Sequence, residues 1–143
     1  MRRVYKSLIL ALAISTCVVG CKDSASPSVE ATGIVMADGE PLSGAVVTLE
    51  PMRQTTGPNA SVPVFDGKFE VPASAGLHGG LYRVRVAMIP AEIRKSIPAE
   101  QATNLPPDDA MIDPAFDANS DLTCELKPDQ ANSLSFAVAF LNP

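Results

Sequence analysis

The chain has 143 residues, 46% hydrophobic and 19% charged, with 13 prolines, one histidine, three cysteines and no tryptophan, which suits one small domain and excludes two full ones. Its formal charge is −5, but Arg2, Arg3 and Lys6 carry three of the eleven basic residues and all sixteen acidic residues follow residue 20, so that eight basic residues face sixteen acidic ones from there on. An acidic body of this kind lacks the cationic footprint that neutralises phosphates, which argues against a nucleic-acid partner, and a single histidine restricts acid–base catalysis and imidazole-based metal sites.

The N-terminus opens on Arg2, Arg3 and Lys6 and continues as an apolar run from Leu8 to Val19, broken by Ser15 and Thr16. Twelve helical residues rise about 18 Å, short of the roughly 30 Å hydrocarbon core, so residues 1–20 are expected to be a signal peptide and not a membrane span. The run closes on Val18, Val19, Gly20 and Cys21. This resembles the bacterial lipobox, and the resemblance implies that Cys21 is diacylated and becomes the new N-terminus. The mature protein is then held by lipid on a membrane of the bacterial cell envelope, outside the cytoplasm, with the covalent lipid as its only attached group and no other cofactor. Each buried CH₂ of an acyl chain contributes about 0.8 kcal/mol, so more than one chain makes a stable anchor. Cys17 leaves with the signal and Cys21 carries lipid, which makes Cys124 the sole thiol of the folded part, either buried or available for pairing between chains.

Residues 21–30, the lipidated cysteine followed by the small and polar stretch Lys22 to Glu30, are expected to form a flexible tether with a reach of roughly 15–20 Å. From Ala31 the pattern becomes short apolar alternations punctuated by Gly, Pro, Asn and Asp, and residues 31–143 are expected to be the folded domain. Thr32 to Ala37 is a predicted strand closed by Asp38-Gly39, a dipeptide suited to a hairpin because both residues tolerate positive φ. Gly44 to Glu50 follows, ended by Pro51, and residues 52–61 form a loop. Val62 to Phe65 and Lys68 to Val71 flank a second Asp-Gly turn at Asp66-Gly67. Leu81 to Ile89 gives the clearest strand, with Tyr82, Val84 and Val86 alternating against Arg83 and Arg85. Residues 90–120 are rich in proline and acidic residues, as in Pro106-Pro107-Asp108-Asp109, and predict a long crossing loop with a turn or two of helix over Ala91 to Ser96. Leu122, Cys124 and Leu126 alternate in one last strand, and Leu134, Phe136, Val138 and Phe140 in another, joined by a turn from Lys127 to Asn132. Seven short strands without a long amphipathic helix predict an all-β protein, a seven-stranded antiparallel Greek-key β-sandwich.

Four pieces stand in an order seen elsewhere: Gly33-Ile34-Val35; Gly39-Glu40-Pro41-Leu42-Ser43-Gly44-Ala45-Val46-Val47-Thr48-Leu49; Asp66-Gly67-Lys68-Phe69; and Gly80-Leu81-Tyr82-Arg83-Val84-Arg85-Val86. Together they resemble the carboxypeptidase regulatory-like domains, which belong with the transthyretin-like (prealbumin-like) sandwiches. Pro114-Ala115-Phe116-Asp117, Leu122-Thr123-Cys124 and the run from Asn132 to Phe140 are similar to the closing half of small bacterial lipoproteins built on that domain. The resemblance covers about residues 31 to 141 and departs at Leu77-His78-Gly79-Gly80, where the family more often has proline and an acidic residue. It implies an accessory module with no single activity attached.

Candidate chemistry is sparse. His78 lies in a Gly-rich turn, with no G-x-S-x-G elbow to support a serine triad and too few ligands for a zinc site, so no catalytic residue is expected and the protein is read as not an enzyme. Asp117, Asn119 and Asp121 have the D-x-N-x-D spacing of a calcium loop, but Leu122 and Pro128 stand where an EF-hand needs Gly and Glu, so they are a weak calcium candidate and no metal is expected. Arg83 and Arg85 face away from the core and offer a surface for a partner's carboxylates. The expected function is a membrane-anchored envelope lipoprotein acting as a non-catalytic structural or interaction module, with the membrane and an envelope protein or glycan as partners. The alternative is a glycan- or peptide-binding lipoprotein using loops 52–61 and 90–120, for which only Phe65 and Phe116 supply outward aromatic rings.

Overall fold

The computed structural model describes residues 26–101 and 103–142; the predicted signal peptide, with Val18, Val19 and Gly20 of the lipobox, and Cys21 lie outside the described residues. The chain between is a two-sheet, all-β domain. Its strands are β1 (Ala31–Ala37), β2 (Glu40–Pro41), β3 (Ala45–Pro51), β4 (Ala60–Val64), β5 (Lys68–Val71), β6 (Gly80–Met88), β7 (Thr123–Leu126) and β8 (Asn132–Val138), with one short helix, α1 (Ala91–Arg94).

Local chemistry explains the turns. Asp38 and Gly39 have φ of 49° and 87°, and Asp66 and Gly67 have 49° and 74°, so each Asp-Gly pair takes the double positive-φ conformation that matches the twist of a two-residue hairpin. The first pair folds β2 back on the end of β1, and the second joins β4 to β5. The hairpin of β4 and β5 is divided between the layers: β4 pairs with β3 in one sheet, and β5 pairs with β1 in the other. Pro63 is tolerated because β4 is an edge strand and has no ladder partner on its other side.

One sheet runs β4-β3-β6-β7, all antiparallel. In the other, β1 pairs along its whole length with β8 on one side and with β5 and then β2 on the other. The strand alternation fills the space between them: Val35 and Ala37 of β1, Val47 and Leu49 of β3, and Val84 and Val86 of β6 are all buried. Val29 is the first buried side chain of the described chain, and its N–H donates to the Leu77 carbonyl at 2.8 Å.

Two expectations are corrected. There are eight strands among the described residues and not seven, because Glu40-Pro41 pairs with Met36 and Ala37 as a short strand of its own. The sheets are also not wholly antiparallel, since β8 runs parallel to β1 from Ala31↔Asn132 to Ala37↔Val138. The parallel pairing arises because the turn after β7 carries the chain from one sheet across to the other. Asn132 fastens that crossing: its Oδ1 accepts from Lys127 N–H at 2.8 Å, and its Nδ2 donates to the carbonyls of Glu30 at 3.0 Å and Lys127 at 3.1 Å.

The strand ends define two opposite poles. At one lie Val29, the 52–59 loop, His78 to Gly80 and the 127–131 turn. At the other lie the Asp38-Gly39 turn, Gly44, and the segment from Ile89 to Asp113, tied down by Ile89 N–H to Gly44 O at 2.9 Å, Leu141 N–H to Met111 O at 2.8 Å and Asp113 N–H to Ala139 O at 3.0 Å.

Candidate functional site

The strand alternation puts Arg83 and Arg85 on the outer face of β6, as the sequence predicts, but it also brings them to carboxylates of the same chain. Register places Glu50 opposite Arg83 and Thr48 opposite Arg85. Arg83 Nε donates to Glu50 Oε2 at 2.8 Å, and Arg85 Nη1 reaches Glu50 Oε1 at 3.1 Å. Arg85 Nη2 donates to Asp117 Oδ1 at 2.8 Å. The guanidinium forks expected to receive a partner's acids therefore hold Glu50 and Asp117. The hydrogen bond from Arg83, joined by that from Arg85, pulls the Glu50 carboxyl below its ordinary 4.5 against the opposing effect of burial, and Asp117 followed by Glu50 raises the Arg85 guanidinium.

A carboxyl depressed in the folded state contributes stability that is complete above its unfolded value and is lost as pH falls through the folded value. Glu50→Gln is therefore expected to cost about 1 kcal/mol at neutral pH, since the pairs are partly exposed to solvent. The gap between wild type and variant should hold constant above pH 4.5 and close below it. Urea unfolding from pH 7 to pH 2 checks this, and a gap that stayed constant throughout would show that the pairing contributes nothing.

The same contact bears on the calcium candidate. Asp117 Oδ1 is taken by Arg85, whereas Asn119 and Asp121 are exposed, and Ser120 between them turns inward to donate to the Val84 carbonyl at 2.6 Å. The loop is thereby pinned to β6, and no group of three His, Cys, Asp or Glu side chains that could hold a metal forms among the described residues.

His78 is half-buried, and its Nδ1 lies 3.0 Å from Thr56 Oγ1. Its backbone is held by Tyr82, a fully buried ring whose hydroxyl donates to His78 O at 2.8 Å and accepts from His78 N–H at 3.1 Å. Cys124 is half-buried opposite Tyr82, and burial pushes its thiol up to about 11, so at neutral pH it behaves as a small apolar side chain. Phe116 packs against the core, and Phe65 lines a broad open depression of about 870 Å³ on the β1–β5–β8 sheet beside Ile34.

Loop 52–61 and the 90–112 part of the 90–120 segment lie at opposite ends of the sheets. The first loses its last two residues to β4, and Thr55 Oγ1 accepts from Leu81 N–H at 2.8 Å at the pole where Val29 enters the core. Residues 90–112 cover the opposite pole, the length of the seven-residue β3 away, or about 23 Å. Residues 113–120 run back along the outer face of β6, where Asp117 meets Arg85 and Ser120 meets the Val84 carbonyl.

Under this cover lies a residue that the sequence did not single out. Arg94, at the end of α1, is 3% exposed and is the only ionised side chain in the interior among the described residues. Its Cδ lies 3.0 Å from the position a Gly44 Cβ would take, and Nη2 donates to the Asp108 carbonyl at 2.8 Å. The Asp108 carboxylate goes instead to Lys95 at 2.9 Å, and Arg94 Nε and Nη1 are buried without a partner. Arg94 lines a pocket of about 290 Å³ with Met88, Ile89, Met111 and Ile112, and Asp108 and Asp117 also line it. Nothing in the composition of residues 90–97 marks Arg94 as interior; the neighbouring Ile93 would be the expected buried side chain, yet it is 56% exposed.

By its fold the protein is a small two-sheet β domain with a covered pole and a buried arginine. Comparison with protein-family models, with curated proteins and with solved structures returned no match.

Proposed function

We propose that the protein is a lipid-anchored, non-catalytic interaction module of the bacterial cell envelope, a Greek-key sandwich of the prealbumin-like, carboxypeptidase regulatory-like kind. The observation that carries the reading is the junction between leader and fold. Val29 is the first side chain to enter the core, eight residues after the Cys21 of the lipobox-like motif. Eight residues span at most about 29 Å when fully extended, so lipid on Cys21 would keep the domain close to the headgroups. The pole carrying Val29, the 52–59 loop and the 127–131 turn would then face the membrane, and the pole covered by residues 89–113 would face away. The non-catalytic reading is supported by how the polar groups are engaged: Arg83, Arg85, Glu50 and Asp117 neutralise one another, and His78 is bonded to Thr56.

Cys21→Ser is expected to abolish metabolic labelling with palmitate in a bacterial host and to leave a precursor that still carries residues 1–20. Retained label on the variant would rule out the anchor. The alternative, a glycan- or peptide-binding lipoprotein using loops 52–61 and 90–120, is favoured by one observation, the two unengaged donor nitrogens of Arg94 beneath the pole that residues 89–113 cover.

A further inference from the structure

We infer that the pocket at the pole covered by residues 89–113 binds a carboxylate carried on an aliphatic stem, with Arg94 as its cationic partner. The inference rests on the reading of the domain as an interaction module, and not on the lipid anchor: palmitate labelling and ligand titration can fail separately.

Charge is the first argument. A guanidinium is not neutralised by losing a proton, as a buried lysine can be, so an interior arginine requires an anion or a full set of acceptors. Arg94 has one carbonyl, that of Asp108, and no carboxylate within ion-pair reach. Arg83 and Arg85, on the outer face of β6, each have a carboxylate partner, Glu50 and Asp117. Two donor nitrogens of Arg94 are left over, and the residue borders a pocket of about 290 Å³, room for a few carbon atoms and a carboxylate. A planar carboxylate in the pocket would match the geometry of the guanidinium fork.

Surface composition is the second argument, and it selects the stem. Five large hydrophobic side chains are conspicuously exposed in the described chain, and four of them, Ile93, Leu105, Met111 and Leu141, belong to the segments that build this pole. Leu105 Cδ2 meets the same Gly44 position as Arg94 Cδ, and Leu141 N–H bonds the Met111 carbonyl. Of the four, Met111 lines the pocket itself, whose walls add Met88, Ile89 and Ile112 and also Asp108 and Asp117, acids engaged by Lys95 and Arg85. Apolar walls beside one buried cation, with both lining acids already paired, suit an aliphatic acid or the C-terminus of an aliphatic peptide, and suit a neutral sugar poorly.

The full chain, titrated with sodium propionate against sodium chloride at equal ionic strength, is expected to show a saturable rise in melting temperature, roughly 5–10 °C at a hundredfold excess over Kd. Arg94→Met should lose at least tenfold in affinity, and Arg94→Lys, which keeps the charge without the fork, should fall between. An Ala-Val-Leu peptide with a free C-terminus, compared with its C-terminal amide, separates the sources. Tighter binding of the free acid than of propionate, with none by the amide, assigns the site to peptide ends, whereas equal binding of acid and propionate assigns it to small aliphatic acids. If Arg94→Met fails to fold, ¹⁵N-labelled arginine in the wild-type chain gives the readout: the Arg94 Nε–H signal should shift with propionate while that of Arg83 stays in place. No shift with any probe, or equal shifts in wild type and both variants, would overturn the proposal and leave Arg94 as a water-satisfied structural residue.

Discussion

Gly33→Ala is expected to lower the unfolding free energy by about 2–3 kcal/mol, far more than a methyl group on a half-exposed strand residue ordinarily costs. The added Cβ would stand 2.3 and 2.5 Å from Phe69 Cζ and Cε1 and 2.8 Å from the Leu134 carbonyl oxygen. Neither neighbour can yield easily. Phe69 is 4% exposed and stacks on Phe136 with ring centroids 6.0 Å apart, while Leu134 lies in β8, directly in register with Gly33. The substitution thus strains both sides of β1 at once, its pairing with β5 and its parallel pairing with β8. Urea unfolding measures the loss. Phe69→Leu in the same chain should recover part of it, giving a coupling energy well above the few tenths expected of independent sites. A neutral Gly33→Ala would mean that the Phe69 ring does not lie across β1.

Tyr82→Phe is expected to cost about 1–3 kcal/mol although the ring is kept, because the hydroxyl of this fully buried side chain satisfies two backbone groups. Removing it orphans the His78 N–H and carbonyl, which bond the hydroxyl at 3.1 and 2.8 Å. Tyr82→Ala adds a cavity beneath β3 and β7 and should cost about 3–5 kcal/mol. Hydrogen exchange distinguishes the hydroxyl's local role from general loosening. In Tyr82→Phe the His78 amide should exchange much faster, while the Val84 and Val86 amides should change only by the global loss. An unchanged His78 amide would show that the Gly-rich turn is held by Thr55 and Thr56 instead.

Much of this architecture is legible from short-range pattern. The Asp-Gly pairs at 38–39 and 66–67 are hairpin tips, and Tyr82, Val84 and Val86 face inward with Arg83 and Arg85 outward, because a period of two and two positive-φ turns are local properties of the chain. The Asp117 loop shows where such reading stops. Its spacing suggested calcium, but only register and the path of the crossing loop reveal that Arg85 takes the Asp117 carboxylate. Arg94 carried no signal at all, since in a short helix beside prolines nothing in the sequence says which side will be covered.

The sequence by itself determined seven of the eight strands, the two Asp-Gly turns and the expectation of lipid on Cys21, all of which depend on residues within a few positions of one another, and the acidic balance, which is a sum over the chain. The tertiary structure alone decided that β8 runs parallel to β1, that loops 52–59 and 90–112 lie at opposite poles, and that an arginine is buried without its counter-ion. Those facts depend on which distant segment packs against which. Alternation tells a strand which face to bury, but not its direction, its neighbour or the charge it will meet across the gap.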